Sequence, residues 1–365
     1  MQAPGQVLGG EAHPYLTLDG RERLEEIVAA LRQPSSYPGE VSRVDTIETH
    51  MSWVFLTDEH AFKLKKPIRT PLFDHTTIAA RNRACRVELR LNRRLARSVY
   101  LAVEPVVRAA EGVRVDARRG QIVDWLVKMR RLPAEEMLDA RIEQQAVTEQ
   151  EVDSLAAVLA EFFAGARPVV LGRAEYRERI TADIAGKRAS LAQPRYGLDP
   201  AEVDAVYAGQ QEWLARHGAL LGERAARVVD GHGDLRPEHV CLERPPVVID
   251  CLEFSRELRE LDPLSELAFL ALECRRLGAA WIGDRLLAGY AKQTGDRAAP
   301  ELVPFYQSQH ALIRAAIAVW HLDDDSQDYP QPSIRADQIE VWRDRARGYL
   351  RIAAELLGRF SSVAR

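Results

Sequence analysis

Hydrophobic and polar positions divide the chain into two regimes. Residues 19–32 set apolar side chains at helical spacing, and the segment after them alternates with the two-residue period of half-buried strands. Trp53-Val-Phe-Leu-Thr57, the turn Asp58-Glu59 and His60-Ala-Phe-Lys-Leu-Lys65 read as a hairpin with a two-residue turn. Pro67 and Pro71 end it, a basic helix is expected over roughly 76–97, and strands are expected at 99–107, 112–115 and 122–129. From about 134 the spacing turns helical, over 148–165, 173–192, 200–221, 262–277, 280–294, 301–322 and 335–359, interrupted by one hairpin over 239–250. Residues 1–14, rich in Gly and Pro, read as a loose tail. The pattern predicts an α+β chain: a small β-rich N-terminal lobe over 15–131 and a larger, mainly helical lobe over 132–365, meeting at about 130–134.

Pairing arithmetic places individual side chains. The first hairpin sets Lys63 opposite Val54 and Lys65 opposite Ser52, with Ala61, Lys63 and Lys65 on one face and Phe62 and Leu64 on the other. In the basic helix Ala84, Cys85, Leu91 and Leu95 form an apolar stripe, and Glu88 falls inside it. A carboxylate on a buried face requires a cation, and a strand lysine is one candidate. The alternatives are a Glu88 that reaches outward or pairs within its helix, and lysines on a solvated strand edge. In the second hairpin, symmetric closure around Glu243-Arg-Pro-Pro246 pairs Leu242 with Val247, Cys241 with Val248, Val240 with Ile249 and therefore His239 with Asp250. Directly opposed residues have Cβ atoms about 5 Å apart.

Composition narrows the function classes. The 365 residues are 46% hydrophobic and 28% charged with a net charge of −4, which gives no bulk attraction for nucleic acid. The basic stretch Arg81–Arg97 has no interleaved aromatics and reads as a solvated helix face. No apolar run approaches the roughly 18 residues of a membrane span, and the first residues lack the basic and apolar regions of a secretory signal. Cys85, Cys241, Cys251 and Cys274 are scattered without a CxxC, which points to reduced thiols in a cytoplasm and leaves no zinc ribbon.

Candidate chemistry lies in His232-Gly-Asp234-Leu-Arg236-Pro-Glu-His239 and Val-Ile-Asp250. An His-x-Asp loop followed by a hairpin ending in Asp is what a kinase-type phosphoryl-transfer site needs. Asp234 would serve as base toward an acceptor hydroxyl, and Asp250 would hold magnesium under the phosphates of ATP. A structural hairpin with a surface Asp is the plainer alternative. His239 stands where such sites usually carry a metal-binding asparagine. No Gly-x-x-x-x-Gly-Lys-Ser/Thr occurs, which excludes a P-loop kinase.

These motifs, in this order, resemble the aminoglycoside phosphotransferase / choline kinase-like family, which shares the protein-kinase-like bilobal fold with one αC-like helix in its small lobe. The bacterial branch described only as aminoglycoside phosphotransferase family enzymes is the most similar. The likeness runs through Thr49-His-Met-Ser-Trp-Val-Phe-Leu, Lys63-Leu-Lys-Lys-Pro, Glu88-Leu-Arg-Leu-Asn-Arg-Arg-Leu, Val127-Lys-Met-Arg-Arg-Leu-Pro133, the two Asp motifs and Leu261-Asp262-Pro-Leu-Ser-Glu266-Leu-Ala-Phe, which is most of the chain. It implies ATP-dependent transfer of the γ-phosphate to a hydroxyl of a small molecule such as a sugar, an amino sugar or an aminoglycoside-like acceptor. Lys63 would hold the α/β-phosphates, with Lys65 as alternate, and Glu88 would orient the lysine. Lys128, Met129, Arg130 and Arg131 would form the hinge whose backbone reads adenine. Ser52, with Thr49 and His50, would contact phosphate where a glycine-rich cover is absent. Asp234 would be the base, Arg236 would reach the transferring phosphate, and Asp250, with His239 beside it, would ligate Mg²⁺. Asp262 would brace the catalytic loop.

His239 departs from the family pattern. Magnesium prefers oxygen ligands, whereas imidazole suits manganese or zinc. Three outcomes stay open: transfer with one firmly held metal, preference for a softer cation such as Mn²⁺, or nucleotide binding without turnover. A catalytically impaired nucleotide-binding regulator is therefore the alternative function. A metal-dependent hydrolase built on His232, Asp234, His239 and Asp250 is a third. Asp323-Asp-Asp325 reads either as an attraction for a cationic acceptor or as a solvated helix end.

Overall fold

The computed structural model describes residues 18–117, 119–323 and 336–363; the tail expected over 1–14 lies outside them. In chain order the main elements are α1 (Leu18–Leu31), β1 (Asp45–Glu48), β2 (Ser52–Leu56), β3 (His60–Lys65), α2 (Ile78–Asn92), β4 (Tyr100–Ala109), β5 (Gly112–Val115) and β6 (Gln121–Arg130). There follow α3 (Leu138–Glu143), α4 (Glu149–Gly165), α5 (Arg173–Leu191), α6 (Pro200–Glu223), β7 (Val229–Asp230), β8 (Val240–Cys241), β9 (Val247–Val248), β10 (Glu260–Leu261), α7 (Pro263–Arg276), α8 (Ala280–Thr294), α9 (Leu302–Trp320) and α10 (Ala336–Val363). Contacts group the described residues into two units, one of 18–93 and 97–131, the other of 94–96, 132–323 and 336–363.

The N-terminal unit is an antiparallel sheet of order β1-β2-β3-β6-β4-β5. The two-residue turn after β2 fixes the register, so Lys65 pairs with Ser52 and Lys63 with Val54, as the alternation predicts. Trp53, Phe55, Phe62 and Leu64 then share a face and bury against Leu24, Ile27, Val28 and Leu31 of α1. The opposite face carries Lys63 and Lys65 and receives α2, whose Glu88 is fully buried. Strand β1 was invisible to periodicity because its four residues are half-buried or exposed.

The basic helix is not the uniformly solvated face that its sequence suggests. Thr77 caps it by accepting from the Ala80 N–H. Arg83, Arg86 and Arg90 are exposed. Arg81 is fully buried and donates to both oxygens of the equally buried Asp124 on β6, with Nη2 at 2.7 Å from Oδ2. Its Nη1 reaches the His75 and Thr76 carbonyls at 2.9 and 3.2 Å. A guanidinium presents donors in a fixed fork, so this one side chain ties the start of α2 to the sheet.

The C-terminal unit is built around α7, buried from Pro263 to Cys274 and packed by α8 and α9. A helix buried on all sides is normally apolar throughout. The carboxylates Glu266 and Glu273 inside this one therefore require specific partners. Two short ladders interrupt the helices, β7 with β10 and β8 with β9.

The second ladder departs from the symmetric closure. Val240 pairs with Val248 and Cys241 with Val247, one residue out of the expected register. Leu242 leaves the hairpin because its N–H bonds the Glu136 carbonyl at 2.9 Å, while Cys241 bridges Met137. His239 therefore faces Ile249, whose N–H it accepts at 2.9 Å, and is not directly opposed to Asp250.

Removing one partner of a buried ion pair leaves an uncompensated charge. Arg81→Met is expected to cost about 3–5 kcal/mol in urea denaturation, and the double variant Arg81→Met/Asp124→Leu is expected to recover most of that loss.

Candidate active site

The residues singled out by sequence fall in both units. In the N-terminal unit, Glu88 receives two ammonium groups: Lys63 Nζ at 3.0 Å from Oε1 and Lys65 Nζ at 2.5 Å from Oε2. The lysines differ in exposure, 15% for the Lys63 side chain against 2% for Lys65. Lys65 is thus the buried counter-charge that makes a buried carboxylate tolerable, and Lys63 is the one that solvent reaches. Burial, followed by the nearby Lys65 and Arg81 charges, pushes the His75 imidazole down to about 4, so it stays neutral beside them.

The remaining N-terminal candidates are spread around this centre. Ser52 is buried opposite Lys65, and its N–H bonds Thr49 Oγ1 at 3.0 Å, which closes the β1–β2 turn. Lys128 and Met129 pair β3 on one side and β4 on the other, so their backbone groups are consumed in the sheet. The Lys128 side chain lies over the Phe62 ring, on the face opposite Lys63. Arg131 donates from its N–H to Glu59 O at 2.8 Å and from Nη1 to Thr57 O at 2.7 Å, clasping the β2–β3 turn.

In the C-terminal unit one buried imidazole organises the loop. His232 Nδ1 accepts the Asp234 N–H at 3.3 Å, and its Nε2 bonds Ile249 O at 2.9 Å. Its own carbonyl accepts the Leu252 N–H at 3.1 Å. The bonds grip the chain on both sides of Asp250, so His232 sets where that carboxylate stands relative to Asp234. Both ring nitrogens are occupied by backbone, which removes His232 from any metal-ligand set and with it the hydrolase assembled on four ligands. Burial pushes this imidazole down to about 3.

His239 lies between the two carboxylates. Nδ1 donates to the Asp234 carbonyl at 2.8 Å and lies 3.6 Å from Asp234 Oδ2; Nε2 lies 3.6 Å from Asp250 Oδ2. The closeness to Asp250 survives the register shift because Asp250 turns into the left-handed region, φ 62°. Such a conformation is uncommon outside glycine, although Asp tolerates it better than most residues. Arg236 folds back over the loop, Nε 2.9 Å from Asp234 Oδ1 and Nη2 3.0 Å from His239 Nε2. Burial pushes the Asp234 carboxyl up, but neighbouring His239 and the Arg236 and Arg314 guanidiniums outweigh it and hold the group below the usual carboxylate range.

The brace of the loop is Glu266, where sequence reasoning placed Asp262. The His232 and Gly233 N–H groups donate to its carboxylate at 2.8 and 3.0 Å. Burial pushes this carboxyl up to about 7 against the pull of those two N–H groups and Arg94. A side chain at Gly231 would strike Glu266 Oε1, and Gly233 adopts φ 87°, so both glycines are required by the brace. Asp262 instead caps α7 and binds Arg224 through both oxygens at 2.7 Å, together with the Tyr306 hydroxyl at 2.8 Å. Arg94 adds a second clasp, donating to the Asp230 and Gly231 carbonyls at 2.7 and 2.6 Å. Glu266 carried the same sequence signal as Glu88, a carboxylate inside an apolar run, and Arg94 carried none.

Among the described residues, no group of three or more His, Cys, Asp or Glu is disposed to hold a metal. Magnesium commonly takes one or two protein carboxylates and completes its shell with water and phosphate oxygens. Asp250 fits that minimal role, and His239 Nε2 is the nitrogen donor nearest to it. Asp323 is engaged by Arg195 at 2.9 Å and by the Tyr196 hydroxyl, and residues 324 and 325 lie outside the described set.

No family model matches the chain. Proteins of Mycobacterium tuberculosis and Mycobacterium bovis, both called uncharacterized, are 33% identical over 290 residues, 75% of this chain and 54% of theirs. The chain thus spans about half the length of the curated relatives it matches. A choline kinase from Cryptosporidium parvum superposes with a TM-score of 0.53 at 13% identity, covering 92% of this chain and 97% of that one. A choline/ethanolamine kinase family protein from Mesorhizobium loti gives 0.50 at 17%, covering 92% and 98%. The chain has the protein-kinase-like fold of these proteins.

The buried neutral His232 has a pH signature. Its folded value lies below the ordinary 6.5, so the unfolded chain binds the extra proton first as pH falls. Its contribution is complete above about 6.5 and declines toward about 3. Stability should therefore fall on acidification through this window, and His232→Gln should flatten that part of the profile in denaturant titrations at stepped pH. Glu266→Ala strands two buried N–H groups and should cost roughly 2–4 kcal/mol in the same measurement, with Glu266→Gln recovering part of it.

Proposed function

We propose that this chain is an ATP-dependent kinase that transfers the γ-phosphate to a hydroxyl of a small molecule. The observation that carries this reading is the pair Asp234 and Asp250, fixed in mutual position by His232 and separated by the two edges of the His239 ring. An ionised base and a metal-binding carboxylate are the two groups that in-line phosphoryl transfer needs in that order along the chain. The protein-kinase-like fold supplies the context in which those two groups can act.

Asp234 is ionised and accepts the hydrogen bond of the acceptor hydroxyl, orienting its oxygen. That oxygen forms the new bond to the γ-phosphorus, the bond to the ADP oxygen breaks, and the hydroxyl proton passes to Asp234. Arg236 leaves the base to meet the transferring phosphate, a motion of one side chain that already lies on it. Lys63, steadied by Glu88, takes the α/β-phosphates, with Lys65 as alternate, and the backbone past β6 at 131–133 reads the base. A divalent cation held at Asp250, flanked by His239, would offset the charge of the nucleotide's phosphates. One contact favours the second reading, a nucleotide-binding regulator: Arg236 Nη2 occupies the Nε2 lone pair of His239.

The test is ATP consumption and product analysis across sugars, amino sugars, nucleosides and hydroxy acids, with Mg²⁺ and Mn²⁺ in parallel. Asp234→Asn is expected to lower kcat by roughly 10²–10⁴-fold while ATP affinity, read by calorimetry, is kept. Unchanged transfer in that variant would remove Asp234 from the base's role. Lys63→Met should weaken ATP binding about 10-fold or more with the fold intact. Lys65→Met should instead lower stability, because it exposes the buried Glu88 charge.

A further inference from the structure

Arg236 and His239 flank the short 3₁₀ turn Pro237–His239, which closes when the His239 N–H donates to the Arg236 carbonyl at 3.0 Å. The turn folds the guanidinium back onto the imidazole, and hydrogen bonding then fixes the tautomer of the ring. A carbonyl only accepts, so Nδ1, 2.8 Å from Asp234 O, carries the proton. A guanidinium only donates, so Nε2, 3.0 Å from Arg236 Nη2, offers its lone pair. That lone pair is what an imidazole gives to a metal, and it belongs to the nitrogen 3.6 Å from Asp250 Oδ2. Arg236 therefore stands on the nitrogen donor of the candidate metal position, while its Nε lies 2.9 Å from Asp234 Oδ1.

We propose that Arg236 gates His239. While the guanidinium rests on Nε2 the ring cannot ligate a cation; when Arg236 turns to the phosphates of the nucleotide, Nε2 becomes a nitrogen ligand beside Asp250. The assignment rests on the kinase reading above, which sends Arg236 to the transferring phosphate. Bond strengths favour the exchange. Guanidinium–phosphate hydrogen bonds are charged on both sides and commonly bidentate, whereas the bond given up ends on a neutral nitrogen. Glu238 adds little restraint, because its Oε2 is 3.9 Å from Arg236 Nη1, outside hydrogen-bond distance. The gate also accounts for an imidazole at this position. An open imidazole favours manganese or zinc over magnesium, whereas a capped one leaves oxygen donors alone until the nucleotide arrives.

Ligation is read without turnover by pulsed electron paramagnetic resonance of Mn²⁺ on the full chain, its histidine nitrogens isotopically labelled so that a coupling reports a protein imidazole. With Mn²⁺ alone the unmodified chain is expected to show no such coupling. With Mn²⁺ and a non-hydrolysable ATP analogue it is expected to gain one, and His239→Asn to lose it. Arg236→Met is expected to show the coupling with Mn²⁺ alone. Calorimetry separates the freed imidazole from the change in charge, since losing a positive charge favours every divalent cation alike. The ratio of Mn²⁺ to Mg²⁺ affinity should therefore rise about 10-fold in Arg236→Met. Coupling with Mn²⁺ alone in the unmodified chain, no coupling with the analogue, coupling that persists in His239→Asn, or an unaltered affinity ratio overturns the proposal. The comparison on the unmodified chain needs no variant, so it decides even where a thermal melt shows Arg236→Met unfolded. Histidine coupling with the analogue but no acceptor phosphorylated sinks the kinase reading alone. Phosphorylation without histidine coupling sinks the gate and leaves the kinase reading standing.

Discussion

The candidate site depends on a neutral imidazole with no access to solvent. His232 can hold Asp234 and the 249–252 segment together only while one ring nitrogen accepts and the other donates, which is the neutral tautomer with its proton on Nε2. Burial enforces that state by making the charged ring costly. The side chain is therefore a spacer of defined length between two loops. Everything assigned to Asp234 and Asp250 presupposes it, because neither carboxylate belongs to a long helix or strand that could position it independently.

Support for the spacer comes from outside the loop. Glu266 on α7 clamps the His232 and Gly233 amides, and Arg94 clamps the carbonyls of Asp230 and Gly231. Arg259 joins Asp230 Oδ1 at 2.8 Å to the carbonyls of Leu252 and Ser255 at 2.8 and 3.1 Å. Donors and acceptors of the loop backbone are thus answered by side chains, as they must be where no ladder or helix answers them. A loop fixed in this way can present a carboxylate with little reorganisation, which is the condition for electrostatic stabilisation of a reacting group.

What was legible in the sequence followed the range of the interactions. The lysine hairpin was readable because a two-residue turn and strand alternation are local, and they fix both register and face. The β8–β9 hairpin misled by one residue because Leu242 answers to Glu136, a contact more than a hundred residues away in sequence that no local pattern encodes. Glu88 could be found as a charge inside an apolar stripe. Glu266 carried the same signal, but the loop it braces lies more than thirty residues earlier, which no local pattern encodes, whereas Asp262 caps α7 and binds Arg224. Arg81 and Arg94 hid within a run of arginines whose other members are solvated, and only the buried carboxylate of Asp124 and the carbonyls of Asp230 and Gly231 distinguish them.

The two carboxylates that touch the loop show how environment alone divides roles between chemically equivalent groups. Asp234 has His239 and the Arg236 and Arg314 guanidiniums for neighbours, and together they overcome its burial; Glu266 meets two backbone N–H groups and the more distant Arg94, and burial prevails. The first is held ionised and carries a full charge toward whatever enters beside it. The second is buried and engaged by the His232 and Gly233 amides, which commits it to holding the loop. On the kinase reading, the ionised Asp234 is the base and Glu266 is the support of its loop.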